Sequence, residues 1–378
     1  MSDYLNLQDF LIPVRKDVIS NDNGYNDGQV GSHINLYEEE FPDLDEADIV
    51  LVGIGEVRGQ GIHTGYSDGP DKIREQFYQL YYWHSQVKIA DIGNVKTGAL
   101  LTDSYAAAKT VIAELIKEKK TVVILGGSHD NTLAQYYAYG SLNKIIEATG
   151  IDSIINLNME SPLRHESFLM EVLTGEPNYI RHYNHIGFQI YNIHPKMMET
   201  MDKLRFDCFR VGKVKEQIEE MEPVIRNSGL VTIDIAAIAN AYAPATDISP
   251  NGFTGEEICT LTKYAGMSHN VNTLGIYGYL PEKDTNDLTA KQIAHMLWYF
   301  IDGKQICKNE VQMENRDDFN EYHTALAEIE TVFLQSKRTG RWWMQMPDKK
   351  FIACSYTDYV MASNNEIPER WLRAQERS

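Results

Sequence analysis

The sequence predicts a three-layer α/β fold, a mainly parallel sheet between two layers of helices, followed by a C-terminal extension. Short β-branched apolar runs alternate with amphipathic helical stretches between residues 47 and 303, and that alternation argues for crossover connections and a sheet covered on both faces. Several of the runs close on glycine or a polar residue just before the next helix. Open α/β sheets place their ligands at such strand ends.

Residues 1–46 form a polar, acidic lead-in, with NDNGYNDGQVG and YEEEFPDLDEAD, expected to be disordered or loosely packed. Residues 47–303 form the α/β domain. DIVLVGIG, Asp48 to Gly55, is a strand ending on glycine, and GPDKIREQFYQLYYW from Gly69 opens a helix with Pro70 near its first turn. VKIADIGNV from Val87 is the next strand. Thr102 or Asp103 can cap a helix with Tyr105, Ala108, Ile112, Leu115 and Ile116 on one face. TVVIL follows as a strand, Gly126-Gly127 permits a sharp turn, and Asn131 to about Thr149 reads as helix. DSIINLN from Asp152, YNHIGFQIY from Tyr183, LVTIDIAAIA from Leu230 and NTLGIYGYL from Asn272 are the remaining strands. Helical stretches such as VKEQIEEMEPVIRN and LTAKQIAHMLWYFIDG separate them. Residues 304–378 are the extension, in which Trp342, Trp343 and Trp371 are expected to pin it onto the main domain.

A chain of 378 residues with 43% hydrophobic side chains has ample material for one large core or two. Its formal charge of −19 disfavours nucleic acid and anionic membrane surfaces as partners, since both require a cationic face. Cys208, Cys259, Cys307 and Cys354 lack any C-x-x-C spacing, so neither a zinc knuckle nor a disulfide framework is indicated. The N-terminus has no basic segment leading into an apolar core, and no apolar run approaches the roughly 18 residues that span a bilayer. A soluble, cytoplasmic protein is expected.

GGSHD places Ser128, His129 and Asp130 at a strand's carboxyl end. A histidine there can be a metal ligand, or it can simply bond to a neighbouring carbonyl. The surrounding landmarks bear on that choice. IVLVGIGEVRGQG with GPDKIRE, ADIGNV, GGSHD, IGFQ, TIDIAAI, NGFTGEE and YLPEKD occur in one order between Ile49 and about Gly303. In that order they resemble the ureohydrolases (arginase, agmatinase and formimidoylglutamase), whose corresponding landmarks include D-[LI]-G-[DN]-[VI], G-G-[DS]-H and S-x-D-x-D-x-x-D. The resemblance implies an arginase/deacetylase-like fold.

Family members hold two Mn²⁺ ions bridged by hydroxide, using the His of GG-x-H, three ligands from D-A-H-x-D and two Asp from D-x-D. Aligned on this chain, D-A-H-x-D becomes Asn156-Leu157-Asn158-Met159-Glu160, and D-x-D becomes Asp234-Ile235-Ala236. The resemblance then implies no metal, or one divalent ion, Mn²⁺ by analogy, at His129, Glu160 and Asp234 with Asn156. The second ion would face Asn156, Asn158, Asp234 and Ala236, a set too poor to hold it. Deacetylases use that second position, so their activity is not implied either.

Glu257 matches the acid that family members direct at a guanidinium or formimino group. It is equally placed to be an acidic residue at a helix start. Asn156 and Asn158 are the other candidate ligand-binding residues. His165 is expected to be a solvated loop residue, and His182, His185 and His194 are too irregularly spaced for a metal site. Ser128 and His129 are adjacent, and neighbours on a strand point to opposite faces, so they are no evidence for a triad. The resemblance therefore suggests a non-catalytic or strongly altered ligand-binding or regulatory homologue, assembling as a homo-oligomer. The alternative is a hydrolase of C–N bonds in linear amidines or guanidines running on a single metal, with a small guanidino or formimino ligand.

Overall fold

The computed structural model describes residues 3–19, 24–63, 65–246, 248, 250–311, 313–326 and 329–377. Its main sheet contains β1 (Leu11–Ile12), β2 (Asn35–Leu36), β3 (Ile49–Ile54), β4 (Ile89–Val95), β5 (Thr121–Leu125), β6 (Ile146–Ile151), β7 (Ile180–Phe188), β8 (Asp207–Arg210), β9 (Ser228–Asp234) and β10 (Thr273–Tyr277). The order is β1-β4-β3-β5-β10-β9-β6-β7-β8, with β2 also on β4. Every pair is parallel except β1 with β4.

Strand periodicity explains the two layers. Successive side chains leave a strand on opposite faces. Ile49, Leu51, Val123, Leu125, Ile233 and Ile276 thus meet the helices Gly69–Phe77, Gly255–Gly266 and Leu288–Lys308 on one side. Val50, Val52, Val122, Ile124 and Leu230 meet Leu101–Lys117, Thr132–Ser141 and Arg164–Thr174 on the other.

One buried ion network fastens the first of these helices to the sheet. Arg74 donates from Nε and Nη2 to the two oxygens of Asp91, both at 2.8 Å, and from Nη1 to Asp71 at 2.9 Å and Asn94 at 2.6 Å. It also reaches the Gly93 carbonyl at 2.9 Å, and Tyr78 donates to Asp91 at 2.8 Å. Burial alone would depress the Arg74 guanidinium, but the carboxylates outweigh it and hold the group above its ordinary value.

Four expectations are corrected. The lead-in is not loose where it is described: Leu7, Leu11, Val14, Val18, Val30, Ile34, Tyr37 and Leu44 are buried, and β1 pairs with β4. Its apolar residues are sparse but evenly spread, so a polar average conceals them. The helix expected over Asn131–Thr149 stops at Ser141, Asn143 turns with φ +50°, and the strand is Ile146–Ile151. DSIINLN consequently lies beyond the strand end and is irregular. VKEQIEEMEPVIRN breaks into the short helices Val211–Glu216 and Met221–Arg226.

The extension contains an antiparallel sheet of β11 (Phe319–Leu326), β12 (Ile329–Ser336), β13 (Trp342–Gln345) and β14 (Phe351–Cys354), followed by the helices Tyr356–Ser363 and Glu369–Arg377. Trp342 and Trp371 are buried within its own core. Arginines make the attachment. Arg341 donates to the Met267 carbonyl at 2.8 Å and to Glu310 at 2.7 Å, Arg226 donates to the Trp342 carbonyl at 2.8 Å, and Arg370 reaches Glu220 at 3.1 Å. The Arg226 guanidinium also lies 4.6 Å over the Trp343 ring. Arg226 lies two residues before β9 and Met267 six before β10, so the extension sits at the amino ends of the strands, opposite to His129 and Asp234.

Candidate functional site

At the carboxyl ends of β5, β6 and β9 the chain brings three ionisable groups together. Gly126 and Gly127 turn the chain off β5 with φ +79° and +80°, a region that costs a side chain about 1 kcal/mol or more. A Cβ on Gly127 would also stand 2.9 Å from the Ile54 carbonyl oxygen. This turn sets His129 over the neighbouring strand ends. The parallel register aligns Ile151 with Ile233, so Asp152 and Asp234 follow side by side.

His129 Nδ1 lies 2.9 Å from Asp152 Oδ2 and 3.4 Å from Asp234 Oδ2. Its Nε2 is 3.0 Å from the Thr232 hydroxyl, which is 2.8 Å from that of Thr132. Asp234 Oδ1 accepts from the Ala236 N–H at 2.8 Å, and Asp152 Oδ1 from the Ile154 N–H at 3.2 Å. The site is closed: His129 and Asp152 are each 1% exposed and Asp234 6%. Phe168 packs edge-on against the imidazole, with ring centroids 5.0 Å apart.

Two carboxylates facing one nitrogen place the imidazole proton on Nδ1. Burial would lower the His129 value, but the hydrogen bond to Asp152 and the charge of Asp234 outweigh it and raise it above the ordinary range. Burial would raise Asp152, yet its bond to His129 holds it below the usual carboxylate range. Asp234 is raised to about 6, first by burial and then by repulsion from Asp152. The three groups share their protons as a unit.

Gly278 backs this arrangement with φ +83°, and a Cβ there would meet Asp234 Oδ1 at 2.5 Å. Gly278→Ala is therefore expected to destabilise the fold by about 1–3 kcal/mol through backbone strain and displacement of Asp234. Urea denaturation beside the unaltered chain measures this, and an unchanged midpoint would contradict it.

The donor atoms of His129, Asp152 and Asp234 all lie within 4.8 Å of one another, a grouping that could hold a metal ion. An imidazole and two carboxylates suit one divalent cation such as Mn²⁺ or Zn²⁺. Ala236, two residues beyond Asp234, offers no ligand atom.

Of the residues expected from sequence, His129 and Asp234 meet here and Glu160 does not. Glu160 is exposed in a turn, its N–H bonded to Asn158 Oδ1 at 3.3 Å. Asp152 takes its place. Because β6 ends at Ile151, Asp152 stands at the strand end beside Asp234, four residues before the Asn156 at which the sequence expectation began the landmark. The signal was the Gly150-Ile151-Asp152 strand end, hidden by reading a helix up to Thr149.

Asn156 is buried and donates to the His165 carbonyl at 3.0 Å. Asn158 is half-buried and faces Glu166 Oε2 at 3.4 Å. Glu257 closes a capping box, accepting from the Thr254 N–H at 2.7 Å, and pairs with Lys215 at 3.1 Å. His165 is not solvated: its side chain is 16% exposed and Nδ1 lies 3.0 Å from the Gly59 carbonyl oxygen. His182 and His185 are buried, against Asp207 at 3.0 Å and the Asp152 carbonyl at 3.2 Å.

Comparison with known proteins bears on the fold. Formimidoylglutamase of Staphylococcus haemolyticus is 22% identical over 254 residues, covering 63% of this chain and 79% of that protein. The Bacillus subtilis formimidoylglutamase is 21% identical over 294 residues, covering 68% and 87%. Its crystal structure superposes with a TM-score of 0.67 at 16% identity, over 76% of this chain and 95% of that one. Trypanosoma cruzi formiminoglutamase with Mn²⁺ gives 0.66 at 13% identity, over 74% and 99%. Such identities establish a shared fold, and among the described residues no helix is long and apolar enough to cross a membrane. Because the model of the arginase family matches residues 47–302, well over half the chain, this protein belongs to that family.

Proposed function

We propose that this chain is a non-catalytic or strongly altered ligand-binding homologue of the ureohydrolases, whose strand-end centre takes at most one divalent ion. The observation that carries this reading is the donor set: three groups, His129, Asp152 and Asp234, and no ligand atom on Ala236. A bound ion would be held by His129 Nδ1 and the two carboxylates, and would lower the pKa of a coordinated water. The chain's own groups give that chemistry little support. Glu257 is committed to its cap and to Lys215, which reduces its capacity to receive a cationic amidine. Phe168 closes over the imidazole.

The four free cysteines favour a reducing compartment, so the cytoplasm is the proposed location. Homo-oligomerisation and a small guanidino or formimino ligand are proposed on family grounds. The second reading, a single-metal hydrolase of linear C–N bonds, draws on the same triad and on His165, whose charge acts on Asp234.

Product release separates the two. Manganese-loaded protein incubated with formimidoylglutamate, agmatine or arginine is expected to yield no more formamide, ammonia or urea than a His129→Ala, Asp234→Ala double variant. Turnover that disappears in the double variant would establish the hydrolase.

A further inference from the structure

Away from the strand ends, the connection after the helix Gly69–Phe77 and the long helix Leu288–Lys308 border a shallow, open hollow of about 230 Å³, lined by Leu80, Tyr81, Trp83, His295, Trp298 and Tyr299. The three helix residues fall at i, i+3 and i+4 and therefore share one face. Trp298 is fixed before any ligand arrives. Its Nε1–H donates to the Tyr81 carbonyl at 2.8 Å, His84 packs edge-on against it with centroids 4.6 Å apart, and Tyr299 meets it edge-on at 5.4 Å. The other rings stand in water: Trp83 is 76% exposed, Tyr81 59% and Tyr299 38%. A cluster of large exposed rings around a hollow marks a recognition site rather than scattered surface apolarity.

The lining selects among ligands by charge. It contains no Lys, Arg, Asp or Glu. Burial lowers His295 from its ordinary value, which keeps that ring neutral near pH 7. The faces of the indole and phenol rings are the negative ends of their quadrupoles, and the chain carries a formal −19. An anion is therefore repelled. A primary ammonium, strongly hydrated, would need a carboxylate that the lining lacks. A methylated ammonium is weakly hydrated and presents a diffuse charge, which aromatic faces alone can hold.

We propose that this hollow binds a quaternary or methylated ammonium group, held by cation–π contact with Tyr81, Trp83, Trp298 and Tyr299. The site is separate from the strand-end centre and independent of the reading given to it.

Titration of the full-length protein with choline and tetramethylammonium, followed by calorimetry and tryptophan fluorescence, tests this. The control is the uncharged isostere of choline in which carbon replaces nitrogen. Choline is expected to bind about tenfold more tightly than the isostere, and Trp83→Ala and Tyr299→Ala each to weaken it by about tenfold. Because Trp83 is 76% exposed, its replacement leaves the fold intact. Equal affinity for choline and the isostere would overturn the proposal, as would no binding of either cation. A fall in solution mass on Trp83→Ala would also overturn it, reassigning the rings to a contact between copies.

Discussion

Arg74→Ala is expected to lower the free energy of unfolding by about 3–5 kcal/mol, because it leaves buried Asp91 without its counter-charge and buried Asp71 with Arg15 alone. Arg74, Asp71 and Asp91 are all fully buried, and the guanidinium supplies bonds to Asp91, Asp71, Asn94 and the Gly93 carbonyl. Arg15 gives an internal comparison, since it meets the same Asp71 at 3.2 Å with its side chain 39% exposed. The Arg15 side chain is partly exposed although its Nε and Asp71 Oδ2 are buried, and Arg15→Ala should cost less than Arg74→Ala, about 1–2 kcal/mol. Urea denaturation of the two variants measures both. A smaller loss for Arg74→Ala than for Arg15→Ala would show that the network does not fasten the helix Gly69–Phe77 to β4.

The second large effect concerns the proposed ion. The unaltered protein is expected to retain about one Mn²⁺ per chain after desalting, Asp152→Ala none, and Glu160→Ala the full amount. Retention by Asp152→Ala, or loss in Glu160→Ala, would return the ligand role to the sequence reading. The pH dependence has a definite sign. An ion takes the lone pair of His129 Nδ1, so it must displace the proton that the two carboxylates hold there. Affinity therefore rises with pH, by up to about tenfold per unit while one proton is displaced. Metal-free protein behaves oppositely. With its folded value raised, His129 contributes stability that is complete below its unfolded value of about 6.5 and is lost as pH rises through the folded value. Asp234, raised to about 6, likewise contributes stability at low pH that is lost as pH climbs towards that value. Calorimetry at pH 6 and pH 8, with and without Mn²⁺, would show the metal-induced increment in melting temperature growing with pH, and an increment that shrinks would contradict it.

The alternation of strand and helix could be read because each strand is buried on both faces and therefore continuously apolar. His129 and Asp234 were legible for a related reason: both directly follow such runs, where the period breaks. Asp152 was not. β6 is IEATGI, with glutamate and glycine inside it, and it pairs between β7 and β9 through its backbone more than through any recognisable side-chain pattern. Its end, and so the place of Asp152, became visible only from its neighbours. The lead-in failed for the converse reason: Leu7, Leu11, Val14 and Val18, and Val30, Ile34 and Tyr37, recur at three and four residues, but over stretches too short to outweigh the polar average around them. Glu257 was an even choice in sequence because a cap and a ligand make the same demand on a helix start, and only its bond to the Thr254 N–H and its pairing with Lys215 display the cap.

The attachment of the extension sets a distance. β9 runs seven residues from Ser228, beside the Arg226 that grips Trp342, to Asp234 in the centre. At about 3.3 Å per residue that is roughly 20 Å of hydrogen-bonded backbone. Whatever docks on the small sheet and whatever enters beneath Phe168 would approach from opposite poles of the molecule, so neither obstructs the other and both can be held at once.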